Sequence, residues 1–80
     1  MKIELVAAGN VETPAYLTLL SLGFKVTCNG DTWMAENDSM ALSAEGPIEL
    51  LGLLKIIEVR GAHWQATDDE IEDFVAKFCS

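Results

Sequence analysis

Residues 24–44 read FKVTCNGDTWMAENDSMALSA, and two turn signals divide this stretch into three strands. Asn29-Gly30 is a pair favoured in the two-residue type I′ hairpin, where both central residues take a positive φ. Taken as the loop, it sets Cys28 opposite Asp31, Val26 opposite Trp33 and Phe24 opposite Ala35. Asn37-Asp38 supplies a second, weaker turn, which sets Met40 opposite Ala35 and Leu42 opposite Trp33. Side chains alternate with period two, so one sheet face collects Phe24, Val26, Cys28, Trp33, Ala35, Met40, Leu42 and Ala44. The other face carries Lys25, Thr27, Thr32, Met34, Glu36, Ser39, Ala41 and Ser43. A slip of one residue would mix the two sets, so the pattern predicts an antiparallel meander with one buried face. Cys28 is expected there as a small buried hydrophobe.

The flanking segments supply the cover. Upstream, residues 2–8 alternate, with Ile3, Leu5 and Ala7 against Lys2 and Glu4, which predicts a half-buried strand at one edge of the meander. Thr13-Pro14 opens a helix, Thr as N-cap and Pro at the first helical position, and Gly23 closes it. Downstream, Gly46-Pro47 opens a second helix and Gly61 closes it after Arg60. At 100° per residue Leu50, Leu53, Leu54 and Ile57 form one apolar arc, and Ile48, Gly52, Ile56 and Val59 form another. The first arc suits the sheet. The second needs another helix or a second subunit, and Gly52, costing about 1 kcal/mol against Ala inside a helix, points to close helix–helix contact at Ile48, Gly52 and Ile56. A third helix starts at Thr67, which forms a capping box with Glu70, and Asp68, Asp69 and Glu70 fill its first turn, where the dipole favours anions. Its stripe of Ile71, Phe74, Val75 and Phe78 is the natural cover for the second arc. The order βαβββαα predicts a two-layer α+β fold: a three-stranded antiparallel meander plus an N-terminal edge strand, with three helices mainly on one face.

Composition bounds the function. Eighty residues with five Lys or Arg and thirteen Asp or Glu carry a formal charge of −8, and half are hydrophobic. One compact domain over residues 1–80 is expected. So acidic a chain is a poor fit to direct nucleic-acid binding, where basic side chains must neutralise phosphates. The helix–meander–helix order is similar to that of double-stranded-RNA-binding domains, but here the final helix begins with acids where a basic start would grip phosphates. The two cysteines, Cys28 and Cys79, read as reduced thiols of a cytoplasmic protein. Glu4 interrupts the apolar N-terminus, so no secretory leader is expected. The most apolar segment, residues 48–59, is short of the ~20 residues that span a bilayer. No membrane partner is expected.

The sequence offers little catalytic apparatus, and no catalytic, metal or cofactor residue is assigned. His63 is the only histidine, and no CxxC, HExxH or phosphate-loop spacing occurs. His63 and Trp64 sit in the loop between the last two helices, where Trp64 could anchor a partner with Arg60 and His63 beside it. Asp68, Asp69, Glu72 and Asp73 form an acidic face suited to a basic partner. The reading that results is a non-catalytic protein-interaction module whose partner is a protein or a second copy in a homodimer. An acidic inhibitor, such as an immunity protein or a DNA mimic, is the alternative. A small-molecule binder or enzyme using the His63–Trp64 loop is the third.

Overall fold

A positive φ suits glycine better than any other residue, and this decides the first hairpin. In the computed structural model, which describes residues 1–7 and 9–79, strand β1 (Lys25–Asn29) pairs antiparallel with β2 (Thr32–Glu36), leaving Gly30-Asp31 as the loop. Cys28 stands opposite Trp33 and Val26 opposite Ala35. Gly30 has φ +65°, and no described residue other than glycine has a positive φ. That is the pattern of a type II′ turn, which places its glycine at the first central position. The expected type I′ turn at Asn29-Gly30 is thereby corrected, because it would have forced Asn29 into the left-handed region as well.

The second turn shifts in the same sense. β2 pairs antiparallel with β3 (Ala41–Ala44), with Trp33 opposite Ala44 and Ala35 opposite Leu42. Residues 37–40 form the loop, organised by Asn37. Its side-chain Oδ1 accepts from the N–H of Ser39 at 2.8 Å and of Met40 at 2.9 Å, and its own N–H donates to the Met40 carbonyl at 3.0 Å. An asparagine carboxamide that holds backbone two residues on is a turn in itself. Both registers differ from the sequence expectation by two residues along the partner strand, so every side chain keeps its face. Ala35 and Leu42 are buried and Trp33 half-buried, whereas Lys25, Thr27, Met34, Glu36 and Ser43 are exposed.

Two helices cover the inner face. α1 (Glu12–Ser21) starts one residue before Thr13, with the Asn10 Oδ1 accepting from the Thr13 N–H at 3.4 Å, and presents Ala15 and Leu19 inward. Gly23, at φ +90°, turns the chain so that the Phe24 N–H donates back to the Leu19 carbonyl. α2 (Pro47–Arg60) has Gly46 as N-cap and Pro47 at its first position, and ends at Gly61 with φ +68°. Its inner arc faces the sheet, with Leu50 fully buried and Leu53, Leu54 and Ile57 half-buried. The core is Leu19, Phe24, Ala35, Leu42 and Leu50, with Val26, Trp33, Met40 and Leu54 among the side chains packed against it.

Three expectations are corrected. The N-terminal edge strand is absent from the described residues 2–7, and Ala8 lies outside them. Ile3 and Leu5 are 80% and 90% exposed. Alternation gives a strand a face but no ladder partner, and the segment's alanine is a weak strand former. Cys28 is exposed, its thiol donating to the Gly30 carbonyl at 3.3 Å, because its place beside the turn lies past the helical cover. The third helix, α3 (Asp68–Phe78), does not join the layer on the sheet: every residue in it is exposed. The Cα radius of gyration, 14.9 Å, exceeds the roughly 12 Å of a close-packed chain of this length.

Leu50→Ala empties the centre of this core and is expected to cost about 2–5 kcal/mol. At several degrees per kcal/mol for a chain this small, that lowers the melting temperature by roughly 10 °C or more. Leu17→Ala, on the exposed side of α1, is expected to shift stability by less than about 0.5 kcal/mol. Thermal unfolding followed by circular dichroism checks the pair, and similar losses at both sites would contradict this core.

Candidate interaction surfaces

A helix buries what its neighbours can reach, and α2 has neighbours on one side only. On the side away from the sheet, Ile48, Ile56 and Val59 are exposed, and a Cβ built on Gly52 meets nothing within 4 Å. The backbone that the glycine led one to expect there is not supplied by the described residues. The reason lies in the path of α3.

α3 is shaped by local signals that do not depend on packing. The Thr67 hydroxyl accepts from the Glu70 N–H at 3.2 Å while the Glu70 carboxylate accepts from the Thr67 N–H at 2.8 Å, closing the capping box. Asp68 and Asp69 add negative charge in the first turn, and Lys77 pairs with Asp73 at 3.0 Å one turn apart. The helix therefore forms while its stripe stays uncovered: Ile71 is 49%, Phe74 56%, Val75 46% and Phe78 72% exposed. The Phe74 and Phe78 rings lean on each other, centroids 5.3 Å apart, with no other aromatic partner among the described residues.

Arg60 bridges the corner between α2 and α3. Its Nε donates to the Trp64 carbonyl at 2.8 Å, and its guanidinium lies 3.6 Å from the Glu70 carboxylate. A 3₁₀ turn, Gly61–His63, fills the bend. Of the three residues proposed as a partner anchor, Arg60 and Trp64 thus meet through the backbone, and the side chains of His63 and Trp64 serve different surfaces. His63 lines a shallow hollow with Arg60, Thr67 and Glu70. Trp64 instead walls an apolar cleft of about 380 Å³ with Leu42, Ser43, Leu53, Ile56 and Ile57. That cleft, which joins the open arc of α2 to the outer edge of β3, was not legible in the sequence. The alternation of β3 and the arcs of α2 were visible separately, but not their meeting.

The acidic residues Asp68, Asp69, Glu72 and Asp73 are all exposed on α3. Among the described residues, no three His, Cys, Asp or Glu side chains converge as metal ligands would, and no helix is long and apolar enough to cross a membrane.

Glu70 has a perturbed carboxyl, its pKa held below the ordinary glutamate range. The hydrogen bond from the Thr67 backbone N–H is the main cause; desolvation opposes it, and the charge of Arg60 and the Thr67 side chain add to it. A carboxylate with a lowered folded pKa stabilises fully above its unfolded value, and that contribution is lost as pH falls through the folded one. Glu70→Gln keeps the cap acceptor and removes the charge. The wild type is expected to exceed this variant in helicity at neutral pH, and the gap is expected to close on acidification below the ordinary glutamate range. A gap in far-UV circular dichroism that ignored pH would contradict the charged cap.

Compared with models of known protein families, with curated proteins and with solved structures, the chain matches none.

Proposed function

We propose that this protein is a non-catalytic interaction module that holds a protein partner, or another copy of itself, through the open helix surfaces at its C-terminal end. The observation that carries this reading is the uncovered apolar stripe of α3, together with the exposed Ile48, Ile56 and Val59 of α2. Monomeric proteins rarely leave large contiguous apolar patches in water, and those that persist mark sites of association. Aromatic side chains such as Phe74, Phe78 and Trp64 are the kind that anchor interfaces.

Charge narrows the class of partner. Four of the five basic side chains already pair with acids: Lys2 with Glu4, Lys55 with Glu58, Arg60 with Glu70, and Lys77 with Asp73. Little positive charge is left over for phosphates, so the partner is a protein rather than nucleic acid, and no membrane contact is invoked. Two exposed thiols without a disulfide suit a reducing compartment, which favours the cytoplasm.

A second reading draws on the acids that share α3 with the stripe. Asp68, Asp69, Glu72 and Asp73 would steer a basic protein toward Phe74 and Phe78, as an acidic inhibitor, an immunity protein or a DNA mimic does. The readings separate by salt: capture of a basic target weakens steeply with ionic strength, whereas apolar docking does not. A ligand pocket at the His63–Trp64 loop ranks third, since the two side chains line separate hollows.

Replacing both rings, Phe74→Asp with Phe78→Asp, tests the main reading. The double variant is expected to keep the cooperative unfolding of the α1–α2–sheet body and to lose partner capture in affinity pull-downs by tenfold or more, about 1.4 kcal/mol. Undiminished capture by the folded variant would reject the α3 surface as the site.

A further inference from the structure

We propose that the outer edge of β3 takes up an extended peptide of a protein partner as a fourth strand, with one large apolar side chain of that peptide seated in the cleft that Trp64 walls. This edge is separate from the α3 stripe and needs nothing from it. The Asn37 N–H donates to the Met40 carbonyl, so these two residues form a hydrogen-bonded pair at the loop end of the β2–β3 ladder. In an antiparallel ladder such pairs alternate with pairs that exchange no bond. Ala35–Leu42 and Trp33–Ala44 are therefore bonded pairs, and Glu36–Ala41 and Met34–Ser43 are not. The N–H and C=O groups of Ala41 and Ser43 consequently point away from β2. The sheet of the described residues ends at β3, so no strand receives them.

The apolar cleft lies against these same residues: Ala41, Leu42 and Ser43 line it from β3. An apolar hollow alone selects no particular occupant. Here its rim carries two backbone donors and two backbone acceptors, on alternate residues of one strand. An extended main chain is the ligand that matches them, because it presents the complementary groups at the same repeat. Parity then places the side chain. Residues opposite each other in a sheet share a face, so the residue opposite Leu42 points to the inner side with it. There it enters the cleft lined by Leu53, Ile56, Ile57 and Trp64. The two residues flanking it stand beside Ala41 and Ser43, both exposed, and a chain of net charge −8 favours basic side chains at those positions.

Amide exchange and NMR titration with the peptide acetyl-Thr-Lys-Leu-Lys-Thr-amide test this. In the free chain the amides of Ala41 and Ser43 are expected to exchange far faster than those of Leu42 and Ala44, which bond β2. Saturating peptide should slow the fast pair tenfold or more and shift the Trp64 indole signal. Serine in place of the peptide's leucine, or Trp64→Ala in the protein, should weaken binding at least tenfold. Two N-methylated peptides separate a ladder from plain apolar docking, and they need only the wild-type protein. One is blocked at the leucine amide and the other at both lysine amides. Amides of one parity alone face β3, so the two affinities should differ tenfold or more. Equal affinities would mean that the cleft takes the side chain without a ladder, and would overturn the proposal. So would a wild-type chain that shows no shift at millimolar peptide. Phe74→Asp with Phe78→Asp should leave the peptide's affinity unchanged. If that variant loses the peptide, it lies on α3 and the β3 site falls; if it loses only capture of a protein partner, the α3 reading and the β3 site both stand.

Discussion

One face of a three-stranded sheet must be taken out of water, and Leu19 and Leu50 do most of that work. Both are fully buried, one from each helix, and between them they close over Phe24, Ala35 and Leu42. A meander alone is marginal in water, because half its side chains have nowhere to go. Once α1 and α2 cap the inner face, the opposite face of Lys25, Thr27, Met34, Glu36 and Ser43 stays in solvent at little cost. Everything else in the molecule hangs from this single-sided core. It is small, and it uses only one flank of α2.

How much of this the sequence disclosed follows from the parity of strands. The faces of the meander were legible because apolar and polar residues alternate from Phe24 through Ala44, and any shift by two preserves them. The registers were not, for the same reason: hydrophobic pattern cannot distinguish positions two apart. Turn chemistry settles the choice, and there the Asn29-Gly30 signal is ambiguous. Moving the loop one residue along keeps the glycine at a central position and spares Asn29 a positive φ. The side chain of Asn37, bonded to two backbone N–H groups, fixes the second loop in a way that composition alone does not reveal.

The candidate surfaces were half legible. The amphipathic stripe of α3 and the two arcs of α2 could be written down from spacing, since periodicity reports which side chains share a face. It does not report which face meets which. The capping box and acidic first turn make α3 a helix through contacts within four residues, so its presence says nothing about its docking. The same distinction accounts for the N-terminal segment. Ile3 and Leu5 alternate as a strand should, but a strand, unlike a capped helix, has no local bonds of its own and exists only when another strand accepts its ladder.

This difference between helix and strand explains why the open surfaces gather at the C-terminal end. A helix can complete its backbone bonds before its apolar stripe finds a partner, so it can stand ready in solvent as α3 does. The Arg60 corner links the two helices: its side chain bonds the Trp64 carbonyl and lies 3.6 Å from the Glu70 carboxylate at the start of α3. An uncovered stripe of Ile71, Phe74, Val75 and Phe78 carries a standing cost in hydration, and Gly52 a cost in helix propensity. Neither improves the core built on Leu19 and Leu50. Both would become favourable if further apolar surface lay against them, and it is on that asymmetry, more than on any single side chain, that the association proposed above rests.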